Sequence, residues 1–216
     1  MTGPTVTLTF DNGPTPGITE EVLEVLAGHS VPATFFAIGQ KLAASAGNAI
    51  GREIVSRGHR LGGHTWSHSV QFGVAGEDLI LDELARTRSA VDEVGGEGSL
   101  FRPYGAGGVI DDRLMSSFGA LSLCAGLYTC VLWNVLPGDW RDADGWVDAA
   151  LDGIERHQWS VVVLHDVVDA ALSRLDEFLD RVHALDPTWS QGFPEDCTPI
   201  RDGLPTSSFD SLNAST

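Results

Sequence analysis

An α/β fold, with parallel strands and helices packed outside them, is what the 216-residue chain predicts. Short apolar, β-branched runs alternate with stretches of helical spacing, and no composition break or interdomain linker interrupts them. The length also suits one domain, whose core would bury roughly 70% of the surface that the unfolded chain exposes. Periodicity by itself does not separate an open doubly wound sheet from a closed barrel.

Thr5 to Phe10 alternates and is rich in β-branched residues, then breaks at Asp11-Asn12-Gly13-Pro14, as a strand running into a turn does. Ile18, Val22, Leu23, Val25 and Leu26 have helical spacing and end at Gly28. Ala33 to Ile38 reads as a second strand, Lys41 to Arg57 as a helix closed by Gly58, and Arg60 to Gly63 as a third strand leading into His64. Leu79, Leu81, Leu84, Val91 and Val94 mark another helix. Tyr128 to Val135 reads as a buried strand, Val147 to Ile154 as a helix and Ser160 to Leu164 as a strand. Leu172, Leu175, Phe178, Leu179 and Val182 form an apolar helical stripe. Helical periodicity disappears from Pro187 onward. Residues 1–203 are therefore expected to form the one domain and 204–216 a loosely held polar tail.

Thirteen Lys plus Arg against thirty Asp plus Glu give a formal charge of -17. Such a surface repels nucleic acid and anionic membranes, so neither is an expected partner. No apolar run approaches the roughly 20 residues that span a bilayer. Cys124, Cys130 and Cys197 are odd in number and lack the close pairing of a thiolate metal site. With no export signal at Met1-Thr2-Gly3-Pro4, the expected compartment is the reducing cytoplasm.

Polar residues that follow strands gather at the C-terminal edge of such sheets, where active sites form. Asp11 and Asn12 follow the first strand, and His64 and His68 the third. Arg102, Pro103, Tyr104 and Gly105 follow Leu100-Phe101; Asp139 and Trp140 come after the strand around Trp133; His165 and Asp166 end the run from Val161. His64 and His68 are spaced so that both imidazoles can face one ion on a tight turn, and Gly62 and Gly63 permit close backbone approach. Each feature has a plainer reading: packed histidines, an Asx-turn at Asp11, a helix cap at Asp166 and a surface cation at Arg102.

The order of these pieces resembles the polysaccharide deacetylase family, carbohydrate esterase family 4, over almost the whole chain. Thr9-Phe10-Asp11-Asn12-Gly13-Pro14 is similar to the family's first motif, Thr-Phe-Asp-Asp-Gly-Pro, and His64-Thr65-Trp66-Ser67-His68 to its second. Arg102-Pro103-Tyr104-Gly105 resembles the third, Asp139-Trp140 the end of the fourth, and Val163-Leu164-His165 the fifth. The resemblance implies a distorted (β/α) barrel with parallel strands that hydrolyses N-acetyl or O-acetyl groups with one divalent metal ion, zinc first and cobalt or nickel as substitutes. It implies His64, His68 and Asn12 as metal ligands, Asp11 as general base and His165 as general acid. Arg102 would hold Asp11, Asp139 would orient His165, and a backbone N–H near Tyr104 would face the oxyanion. Trp140, Trp66 and Trp133 would form walls. Two departures stand out: Asn12 replaces the family's metal carboxylate, leaving open that Asp11 turns onto the metal instead, and only Pro103 separates Arg102 from Tyr104 where the family has two residues.

The function implied is removal of an N-acyl group from a cytoplasmic N-acetylated oligosaccharide or a small amide. Hydrolysis of non-sugar amides or cyclic imides is the second reading. The third is a catalytically impaired binding protein. Oligomeric state has no signature in the sequence.

Overall fold

The computed structural model describes residues 3–168, 170 and 172–213. Its first half is built of strand-helix units. β1 (Thr5–Asp11), α1 (Ile18–His29), β2 (Ala33–Ala37), α2 (Gly39–Leu42), α3 (Ser45–Ser56), β3 (Arg60–Gly63), α4 (Glu77–Glu93) and β4 (Leu100–Phe101) follow one another. The second half carries α5 (Ser117–Ala125), β5 (Thr129–Cys130), α6 (Trp146–Arg156), β6 (Trp159–His165), α7 (Leu175–His183), β7 (Thr188–Trp189), β8 (Ile200–Arg201) and β9 (Leu204–Pro205).

The strands form one sheet in the order β6-β1-β2-β3-β4-β5-β8-β9, with β7 also paired to β1. From β6 to β5 every pairing is parallel, and β8 and β9 join antiparallel. The sheet curls because the segment leaving β5 returns to β6: Val135 forms an isolated parallel bridge with Val162. This is the distorted barrel that the motifs imply, and it resolves the choice that periodicity left open.

Both faces of β1 are buried, for different reasons. Val6, Leu8 and Phe10 pack outward with Leu23 and Leu26 of α1 and Phe178 and Leu179 of α7. Each such side chain contributes about 1.5–3 kcal/mol by leaving water. The intervening Thr7, Thr9 and Asp11 share the other face, toward the barrel interior, where Phe36, Leu100, Val131 and Val161 form a separate cluster. The period-2 pattern of Thr5 to Phe10 thus encodes an apolar outside and a polar inside.

Three local readings differ from the structure. The single helix expected over Lys41–Arg57 is two, because Ala44 is extended (φ -71°, ψ 147°) and ends α2 after one turn. α5 went unread because Phe118, Ala120, Leu121 and Leu123 leave little polar contrast around it; its start is marked by the Ser116 side chain, which accepts from the Gly119 N–H. The strand expected over Tyr128–Val135 has ladder pairing only at Thr129–Cys130 before the bridge at Val135.

The aperiodic stretch after Pro187 plugs the barrel. Phe193 and Cys197 join the interior cluster, and Phe193 lies 6.2 Å from Phe36, ring to ring. The expected tail is held over its described part: β9 pairs with β8, the Thr206 hydroxyl donates to Thr198 O, and Leu212 is fully buried. Residues 214–216 of that tail lie outside the described residues.

Candidate active site

The register of the parallel strands assembles the site. β1 and β6 pair so that Asp11 stands beside His165, and Gly63 pairs with Phe101, so that His64 and Arg102 leave the barrel edge together. A cavity of ≈ 280 Å³ opens there, lined by Asp11, Asn12, His64, His68, Tyr104, Trp133, Trp140 and His165, with Leu136, Val163, Val167 and three glycines completing the wall. Three groups that the sequence places far apart meet in it.

The first is the Asp11–Arg102 pair. Both side chains are buried, and Arg102 Nη1 donates to Asp11 Oδ1 at 2.8 Å and to Thr9 Oγ1 at 2.8 Å. Nε and Nη2 donate to the carbonyls of Val131 and Leu132 at 3.3 Å each, and the guanidinium lies 4.1 Å from the Phe36 ring centre. Arg102 therefore fills the barrel interior beneath the cavity and is no surface cation. Burial alone would push the Asp11 carboxyl up. The positive charge of Arg102, with His64 and His165 nearby, outweighs it and holds Asp11 below the usual carboxylate range.

The second is the imidazole pair. His64 Nδ1 lies 2.9 Å from Arg102 O, and a carbonyl only accepts, so Nδ1 carries the hydrogen and Nε2 presents its lone pair. That Nε2 is 3.8 Å from Asp11 Oδ2, and the His68 ring centre is 4.9 Å from that of His64. Burial lowers the His64 pKa; burial and His64 together bring His68 down to about 3. Both are neutral imidazoles, the form that binds metal. Asn12, at φ 75°, lines the same cavity, and its Oδ1 is buried without a hydrogen-bond partner.

The third is the Asp139–His165 pair. Buried Asp139 accepts from His165 Nδ1 through Oδ1 and from the His165 backbone N–H through Oδ2, both at 2.9 Å. Burial works against the imidazolium, but the bond to Asp139 and the charges of Asp139, Asp11 and Asp166 raise His165 above its ordinary value. Trp140 meets His165 edge to face with 4.6 Å between ring centres.

Tyr104 packs on His68 at 3.9 Å, and Trp133 lies over Arg102 at 5.8 Å, so both belong to the wall. Trp66 does not. Its ring packs under the Arg86 guanidinium, 4.0 Å away, and against Gly39, where a Cβ would approach it to 2.6 Å. The loop turns Trp66 toward α4 because Glu83 accepts from its backbone N–H at 2.6 Å.

The sequence reading gave Lys41 and Glu83 no place at the site and Asp166 only that of a helix cap. Lys41 Nζ donates to Asn12 O at 2.8 Å, and Asp166 sits against Gly13, where any Cβ would meet its carboxylate at 2.0 Å. Asp166 accepts from Thr19 Oγ1 at 2.6 Å, and burial pushes its carboxyl up to about 7. Glu83 had a signal: it falls on the buried stripe of α4 with Ile80, Leu84 and Thr87.

The sequence model of the polysaccharide deacetylase family matches residues 1–120. A chitooligosaccharide deacetylase of Sinorhizobium fredii is 34% identical over 165 residues, 76% of this chain and 72% of that protein. Among solved structures, a family 4 carbohydrate esterase from Streptomyces lividans in complex with acetate is 25% identical, with TM-score 0.73 over 93% of this chain and 99% of that one. A family 4 acetyl xylan esterase from Clostridium thermocellum in complex with a cobalt ion is 27% identical, with TM-score 0.68 over 85% of each chain. The chain belongs to the polysaccharide deacetylase family. Membership places it among hydrolases of non-peptide carbon–nitrogen bonds.

Proposed function

We propose that this protein removes a small N-acyl group, acetyl first, from a cytoplasmic N-acetylated oligosaccharide or small amide, using one divalent metal ion, zinc by preference. One observation carries the reading: Asp11, held from beneath by Arg102, the imidazoles with Asn12, and His165, held by buried Asp139, line a single cavity. The three free cysteines, two of them buried, support a reducing compartment. Among the described residues no helix is long and apolar enough to cross a membrane.

The residues fit a metal. Among the described residues, no three His, Cys, Asp or Glu side chains form a group that could hold an ion, which favours a donor of another type beside His64 and His68. Asn12 Oδ1, buried and unpartnered in the same cavity, is such a donor, whereas Asp11 Oδ1 is engaged by Arg102. Two imidazoles and an amide oxygen suit zinc, cobalt or nickel. Bound there, the ion would supply Lewis-acid polarisation of the acyl carbonyl and the attacking water.

Asp11 Oδ2 takes a proton from that water as its oxygen bonds to the acyl carbon, and Arg102 keeps the carboxylate ionised and oriented. A backbone N–H near Tyr104 would face the developing oxyanion. As the carbon–nitrogen bond breaks, His165 Nε2 gives its proton to the leaving amine while Nδ1–H stays on Asp139, so amide and water become carboxylic acid and amine.

A second reading, hydrolysis of non-sugar amides or cyclic imides, is favoured by the wall itself. Beyond the catalytic groups, the described residues of the wall are Trp, Tyr, Leu, Val and Gly, with no charged or amide side chain among them for sugar hydroxyls. Acetate release from N-acetyl chito-oligosaccharides beside simple amides and imides decides between the two, with chelated and zinc-reloaded protein in parallel. Activity on amides and imides alone sinks the sugar assignment. If zinc, cobalt and nickel neither bind nor support hydrolysis of any substrate, the impaired binding protein is left.

Asn12→Asp adds a negative charge to the ligand set and is expected to tighten zinc binding by about tenfold or more in calorimetric titration. Unchanged affinity would remove Asn12 from the ligands. Asp139→Asn takes away the charge that raises His165. Since His165 acts in its protonated form, the falling limb of the kcat–pH profile is expected to move to lower pH; a limb that stays in place assigns it to another group.

A further inference from the structure

We infer that Glu83 is the positioning residue that holds His68 for the metal, an inference resting on the reading of His64, His68 and Asn12 as ligands. The turn from His64 to His68 has two non-glycine residues in the left-handed region, Thr65 (φ 60°) and His68 (φ 53°). Side chains with a Cβ disfavour that conformation, and it persists only where the surroundings enforce it.

The enforcement comes from two sides. On one, Gly39 N–H donates to Thr65 O at 2.9 Å and Gln40 N–H to Trp66 O at 3.0 Å, which holds the carbonyls of the turn. On the other stands Glu83, 3% exposed, from the middle of α4. Its Oε2 accepts the backbone N–H groups of Trp66 at 2.6 Å and Ser67 at 3.0 Å, and its Oε1 accepts the Ser67 hydroxyl at 2.5 Å. These are the two residues between the left-handed pair. A carboxylate is the strongest acceptor a side chain can offer to two adjacent N–H groups. The His68 N–H then closes the turn on Thr65 Oγ1 at 3.1 Å. Glu83 is not among the residues that line the cavity, and its carboxylate bonds the turn itself, so it acts through the turn and is not a catalytic residue.

Cobalt(II) titration of chelated protein, followed by visible absorption and calorimetry, tests this. For Glu83→Ala, affinity is expected to fall on the order of tenfold or more, with a changed cobalt spectrum, whereas Glu83→Gln, whose Oε1 can accept both N–H groups, should stay within about threefold. A Glu83→Ala protein with wild-type circular dichroism, cobalt affinity and spectrum overturns the role of Glu83 while leaving the metal reading intact. Wild-type protein that binds no cobalt, zinc or nickel overturns both. Should Glu83→Ala fail to fold, Glu83→Asp carries the test: its shorter reach should weaken cobalt binding and alter the spectrum, and wild-type values for both overturn the inference.

Discussion

Asp11→Asn is expected to lower kcat roughly a thousandfold, the size of a lost general base, while leaving metal affinity unchanged. The amide has the shape of the carboxylate but cannot accept a proton from water at neutral pH. It also leaves Arg102 buried with a neutral partner. The guanidinium keeps its bonds to Thr9, Val131 and Leu132, but its counter-charge is gone, so stability should fall by up to about 3–5 kcal/mol in urea denaturation. Single-turnover acetate release, zinc titration and denaturation of one preparation separate the three effects. Zinc affinity that collapses with activity would make Asp11 a ligand and leave the proposed mechanism without its base.

Arg102→Met is expected to be the more damaging change to the fold. Methionine fills much of the space, yet Asp11, Thr9 Oγ1 and the carbonyls of Val131 and Leu132 lose their donor inside the barrel. Breaking a buried pair from one side costs about 3–5 kcal/mol. What survives should show Asp11 titrating upward, because burial then acts with its strongest opponent removed. Asp11 works ionised, so the rising limb of the kcat–pH profile moves to higher pH. In the wild-type protein the pair stabilises the fold above about pH 4, the unfolded carboxylate value, and that contribution disappears as pH falls through the depressed Asp11 pKa. A stable Arg102→Met protein with an unshifted rising limb would show that Arg102 is not what holds Asp11 ionised.

Much of the site was legible because its members follow strands. Asp11, His64, Arg102 and His165 each stand at or just beyond a strand end, and in a parallel sheet those ends share one edge. Trp66 was misplaced because an aromatic inside a motif reads the same whether its ring faces the cavity or α4; the Glu83 bond to its N–H decides. Lys41 was hidden inside a helix that proved to be two, and Asp166 reads as an ordinary cap until Gly13 is seen against it.

What the sequence by itself determined is local: most of the strands and helices before Pro187, the alternation along β1, and the side chains carried to the strand ends. These follow from periods of 2 and 3.6 residues, which any short window reveals. The tertiary structure decided what those side chains meet. Asp11 and Arg102 are 91 positions apart, and Asp139 and His165 are 26 apart. The bridge of Val135 to Val162 curls the sheet, and the aperiodic chain after Pro187 plugs it with Phe193 and Cys197. Contacts of that kind have no period. They arise where packing and charge pairing between distant segments outweigh the entropy of bringing them together, and here they gather widely separated polar residues in and around one cavity.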